Sequence, residues 1–187
     1  MFTLSTPFAV KRHSDTEWRL IAPLVYKGKR DTFTIPAGYV TDFASVPRML
    51  QWFAPSTGKY TLAAVLHDYL CDALDDTGVA SIPVAARPGW NTHTTSRDVD
   101  GLFRRVMREQ KVPAVLRWFM WAGVRWGALF NRRRRPGIVR DMPLVLLLSL
   151  VALPLIAPAA VCIGVAYFIQ FVLEGCIGFV TKPFTWK

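Results

Sequence analysis

The chain has 187 residues, 52% of them hydrophobic and only 19% charged, which excludes a disordered polypeptide. Its three cysteines, Cys71, Cys162 and Cys176, are too few and too scattered for a disulfide framework or a zinc site. The net charge of +10 is concentrated: residues 97–140 carry twelve Lys/Arg against three acids, and an apolar tail follows at once.

Four segments near the start, Phe2–Leu4, Phe8–Val10, Trp18–Tyr26 and Thr32–Ile35, read as strands, being rich in β-branched and aromatic residues. Lys27–Asp31 has the composition of a hairpin turn, and Pro36-Ala37-Gly38 ends the last run. A small antiparallel sheet is expected. Beyond Pro47 the period lengthens, and Leu62, Val65, Leu66, Tyr69 and Leu70 share one face of a helix over Thr61–Leu74. Residues 76–95, with their glycines, prolines and threonines, form a long loop of the kind that often carries function. A second helix opens with Ser96 as N-cap and Asp98 and Asp100 in its first turn, and runs to about Gln110. Pro113 starts a third helix that ends near Phe130. Arg117 and Arg125 stand in it among Trp118, Trp121 and Trp126. Two uses fit equally: a helix at a membrane interface, or a core helix whose arginines snorkel outward.

From Met142 to Leu173 there are 32 residues without a charge. A bilayer core of ~30 Å needs ~20 apolar residues, so this stretch can span it. Pro154 and Pro158 interrupt the run, which favours one tilted, kinked span, with a hairpin through residues 143–180 as the alternative. The division is then a soluble domain 1–130, a basic linker 131–141, a transmembrane segment 142–180 and a short tail 181–187. The fold class is α+β: a small N-terminal antiparallel sheet packed with about three helices, then the apolar segment. Arg132, Arg133, Arg134 and Arg135 would hold the soluble domain on the cytoplasmic side and attract anionic lipids. A span so near argues against nucleic acid as the partner of this basic stretch.

The polar residues that stand out are Asp42 and the pair His67-Asp68 in an otherwise apolar helix. Adjacent helical side chains diverge by about 100°, so both can reach one cation above the groove between them. Asp42 from the preceding loop and Asp98 or Asp100 from the next helix could complete the set. One imidazole with carboxylates suits Mg, Mn, Fe or Zn, and such an ion could activate water. The plainer alternative is a histidine satisfied by a hydrogen bond and aspartates that cap helices. Asp68, Asp72 and Asp75 or Asp76 form an acidic stripe that reads as a solvated face. His13 and His93 are expected to be exposed and Cys71 to be a small core residue. Ser45 has no glycine elbow and the chain has no phosphate-cradling loop, which argues against a serine hydrolase and a nucleotide-driven enzyme.

Three elements together resemble a family. The run Phe33-Thr34-Ile35-Pro36-Ala37-Gly38-Tyr39-Val40-Thr41-Asp42-Phe43-Ala44-Ser45-Val46-Pro47 is similar to the hallmark of a domain of unknown function found in tailed phages and prophages. Ala63–Leu70, with Leu66-His67-Asp68-Tyr69-Leu70, resembles its second element, and Asp100, Phe103 and Met107 match a third, Asp-x-x-Phe-x-x-x-Met. The resemblance covers roughly residues 1–127; the loop 76–95 looks like an insertion and the apolar tail lies outside. It implies a phage-encoded protein and singles out Asp42, His67, Asp68 and Asp100 as polar positions, Asp100 ahead of Asp98. It names no reaction.

Two functions follow as expectations. One is a metal-dependent hydrolase anchored in the host inner membrane, with Asp42, His67, Asp68 and Asp100 as ligands and one carboxylate as general base. The other is a non-enzymatic virion, tail or membrane-associated accessory protein that contacts other phage proteins, with a structural His-Asp cluster. Burial separates them: a catalytic cluster needs an open cleft.

Overall fold

The computed structural model describes residues 2–3, 8–28, 32–77, 95–132, 134–135 and 137–181. The described strands are β1 (Phe2–Thr3), β2 (Val10–Arg12), β3 (Trp18–Leu20), β4 (Leu24–Lys27), β5 (Thr32–Ile35) and β6 (Val40–Thr41). They form two antiparallel three-stranded sheets, in the orders β1-β4-β5 and β2-β3-β6. The expected single run Trp18–Tyr26 is therefore two strands in two sheets. Pro23 explains the break, because it has no N–H to give a ladder.

Alternation sets the faces. Leu24 pairs with Ile35 and Tyr26 with Phe33, and all four are buried, while Thr32 and Thr34 point out. Pro36–Tyr39 then turns the chain from one sheet into the other. Gly38 sits there at φ 87°, the left-handed position that a type II turn reserves for glycine.

The helices are α1 (Thr61–Thr77), α2 (Ser96–Glu109), α3 (Ala114–Phe130) and α4 (Ile138–Thr181), each packed on the next. One core runs from the sheets through α1 into α2, with Leu20, Leu66, Leu70, Val106 and Met107 at its centre. The N-cap of α2 is Thr95 rather than the expected Ser96: Thr95 and Asp98 satisfy each other's backbone N–H in a capping box. Ser96 falls one place inside the helix and is buried. Most of the expected loop, residues 78–94 with His93, lies outside the described residues.

At the other end of α2, the Val112 N–H returns to the Met107 carbonyl at 3.0 Å and the Lys111 N–H to Arg108 at 3.1 Å. This is a Schellman closure, and Lys111 occupies its left-handed position at φ 57°. Lys111→Gly is expected to raise stability by about 0.5–1 kcal/mol, read as a higher denaturation midpoint.

α4 is one continuous helix of 44 residues that carries Pro143, Pro154 and Pro158 within it, not a hairpin. Ile138, Asp141 and Val145 are buried on the side facing α3, whereas most of the rest is exposed. Its stretch Ile138–Gly178 is long and apolar enough to cross a membrane.

Candidate functional site: a buried charge network with an acidic rim

Three helices meet at Asp100, and α4 joins them through Arg125. Apolar spacing turns this residue of α2 inward beside Val99 and Phe103, and its side chain is 0% exposed. His67, on the core-facing side of α1, donates from Nε2 to Asp100 Oδ1 at 2.7 Å and stacks at a tilt on Phe103. Arg125 of α3, also 0% exposed, donates from NH1 to Asp100 Oδ2 at 2.8 Å. Its NH2 lies 3.2 Å from Asp141 Oδ2 in the first turn of α4. Arg97 of α2 closes the ring from its Nε onto both Asp141 oxygens at 3.0 and 3.1 Å. Arg134 adds a third cation 3.7 Å from Asp100.

Charge sets the protonation states. Burial would raise the Asp100 carboxyl, but the His67 hydrogen bond and charge, with Arg125 and Arg134, override it and hold it below its usual range. Burial would likewise push His67 down. The adjacent Cys71 sulfur and the Asp100 carboxylate override that and hold the imidazole up at about 10. His67 is thus an imidazolium donor and Asp100 an ionised acceptor.

Asp42, Ser45, Asp68 and Asp72 form a more open rim beside this network. The Ser45 hydroxyl donates to Asp42 at 2.6 Å, and the Tyr39 hydroxyl donates to Asp72 at 2.7 Å. Phe43, next to Asp42, is held at φ 65°, a strained conformation for a bulky residue. Its buried ring stacks on Trp18, with centroids 6.0 Å apart, and its N–H donates to the Thr41 hydroxyl. Burial first, then Asp42 and Asp72, push the Asp68 carboxyl up to about 6, against the Thr41 hydroxyl that donates to it.

A carboxylate raised from 3.8 to about 6 penalises the fold progressively as pH rises between those values, and fully above the second. Asp68→Asn is therefore expected to stabilise the protein at pH 8 by about 1–2 kcal/mol, after discounting for partial exposure. It should leave stability at pH 3.5 unchanged. Urea titrations at the two pH values test this.

Among the expected site residues, His67 and Asp100 are joined directly, while Asp42 and Asp68 belong to the rim. Asp98 serves the capping box. Among the described residues no three His, Cys, Asp or Glu side chains are grouped to hold a metal ion, so the expected four-ligand set is not assembled. The physical reason is that both Asp100 oxygens are taken by His67 and Arg125. The acidic stripe is partly engaged rather than wholly solvated, since Asp75 accepts from Asn131 at 2.8 Å and Asp72 from Tyr39. Cys71 is buried in the core and His13 is exposed. Of the four consecutive arginines, Arg132 and Arg135 are exposed, Arg134 turns toward Asp100, and Arg133 lies outside the described residues.

Sequence reasoning missed Arg125, Asp141 and Arg97 as network members. A signal was present: Arg125 has small residues three before and three after it, Ala122 and Ala128, which make room for a close approach of helices.

The family described as "Protein of unknown function (DUF1353)" matches residues 18–124, more than half of the chain. The chain belongs to this family. No curated protein and no solved structure matches the sequence. The match takes in the rim, His67 and Asp100, and stops one residue before Arg125. In this DUF1353 protein Arg125, Asp141 and the apolar helix lie beyond the matched residues.

Proposed function

We propose that this DUF1353 protein is a membrane-anchored, non-enzymatic accessory protein of phage or prophage origin, whose His67–Asp100–Arg125 cluster is structural. The burial of that cluster carries the reading. Asp100 and Arg125 are fully buried, and each oxygen of Asp100 already has a partner, which leaves no open approach for a substrate. The network instead clamps the domain to the first turn of α4, which serves as the span in the host inner membrane. Arg132 and Arg135 face anionic headgroups on the cytoplasmic side, and the acidic rim is left as a surface for other phage proteins.

One observation favours a second reading, a metal-dependent hydrolase of unknown substrate. Asp68, raised toward neutrality beside Asp42 and next to a strained Phe43, has the character of a general acid or base. Mg, Mn, Fe or Zn would be its cofactor.

Elemental analysis of the full chain in detergent, beside His67→Ala and Asp68→Ala, separates the two. The structural reading expects no stoichiometric metal and a strongly destabilised His67→Ala. Bound metal in the wild type that is lost in folded variants would overturn it. Extraction of the chain from membranes by alkaline carbonate would overturn the anchor.

A further inference from the structure

We infer that the soluble domain has a second bilayer contact of its own: an apolar ridge, formed by the turn around Met49 and Trp52 and the outer face of α3, that lies in the headgroup–acyl boundary of an anionic membrane. This deepens the reading of α4 as a span and rests on it.

The ridge is contiguous. Val115, Phe119, Gly123, Trp126 and Phe130 recur at helical spacing on one face of α3, and Phe130 is 85% exposed. The Phe119 ring lies 5.7 Å from Phe53, which in turn lies 5.8 Å from Trp52. Trp52 and Met49 are both exposed, on and beside the 3-10 turn Arg48–Leu50, and that turn packs against α4. Exposed Arg48 stands on that turn, Arg140 on α4, and Arg132 and Arg135 in the linker between α3 and α4. Tryptophan and phenylalanine bordered by arginine is the composition favoured at a membrane–water boundary.

Depth points to the same partner. The Trp126 indole donates to the Ser149 hydroxyl at 2.9 Å. Ser149 lies eight residues past Asp141, roughly 12 Å along the helix and inside the uncharged run. That run of 32 residues would be roughly 48 Å long, against a hydrocarbon core of ~30 Å. About three turns are in excess. The first turns of α4 are the ones packed on α3, through Met142, Val145 and Leu148, while Leu146, Leu147 and Leu150 stay exposed. Sliding a span of ~20 residues along that run keeps Ser149, and with it Trp126, within roughly 10 Å of the boundary. A second copy seated on the ridge would set the same arginines against each other, which disfavours it as the occupant.

The test reconstitutes the full chain in phosphatidylcholine/phosphatidylglycerol nanodiscs whose acyl chains are brominated near the glycerol end, and reads tryptophan quenching. Trp52→Phe and Trp126→Phe should each remove part of the quenched amplitude, whereas Trp18→Phe, whose ring stacks on Phe43 in the domain, should leave it unchanged. Quenching indifferent to both substitutions, with the chain still held in the disc, overturns the ridge and spares the anchor. Two copies per disc with Trp52 and Trp126 shielded assigns the face to a second copy and also overturns it. Release of the chain from the discs by alkaline carbonate overturns both.

Discussion

Replacing Arg125 by methionine is expected to cost about 3–5 kcal/mol, enough to unfold much of a domain of ordinary stability. The loss comes from what is left behind. Among the described residues, buried Asp100 would keep His67 and the more distant Arg134, and Asp141 would keep the Arg97 hydrogen bonds and the charge of Arg104. Arg125→Lys should recover part of the loss at most, because one ammonium cannot reach both carboxylates that the guanidinium bridges. In the double variant Asp100→Asn/Arg125→Met, the cost should fall well short of the sum of the single costs, since the stranded charge has gone. Urea denaturation of the full chain in micelles, followed by circular dichroism, measures these three variants beside Asp100→Asn alone. A methionine variant within about 1 kcal/mol of wild type would refute the clamp.

The second large effect is on pH dependence. His67 is raised from 6.5 to about 10 on folding, so its stabilising contribution is complete below the first value, declines as pH rises, and is gone above the second. Asp100 runs the other way: its contribution is present above 3.8 and is lost as pH falls through its lower folded value. In the Asp68→Asn background, where the Asp68 titration between 3.8 and about 6 is removed, a plateau between roughly pH 4 and 6.5 should give way to a loss of several kcal/mol toward pH 10. His67→Gln should flatten the alkaline limb while lowering the plateau. The comparison is cleanest in the Asp68→Asn background, where no second titration overlaps the plateau. An alkaline limb that is the same with and without His67 would show that the imidazole is neutral in the fold.

The helices and the apolar tail could be read from periodicity and from the long absence of charge, because those patterns are local. The sheets could be read only in part. The β-branched and aromatic residues of Trp18–Tyr26 and Thr32–Ile35 marked strands, yet nothing short of the three-dimensional path shows that Pro23 hands the chain from one sheet to another. The site divides similarly. His67 and Asp68 stood out because polar residues in an apolar helix are costly, Asp42 stood out on the loop before them, and Asp100 was put ahead of Asp98 by the family resemblance; His67 and Asp100 are indeed bonded to each other. Their partners did not stand out. Arg125 sits among tryptophans that made an outward, snorkelling arginine look plausible, and Asp141 was one acid beside many bases. Residues 25 and 41 places from Asp100 meet it or its partner only through helix packing, which no local pattern encodes.

The junction at Asp141 also limits how this protein could have been assembled or can be taken apart. The family match ends at residue 124, yet Arg125 needs a carboxylate from beyond it, and the tail's first turn needs Arg97 from within it. Domain and tail are therefore not interchangeable parts. Exchange of the tail for another anchor would succeed only with an acid at the matching turn, and a fragment cut at residue 140 would strip the buried Arg125 guanidinium of one of its two carboxylates, leaving it Asp100.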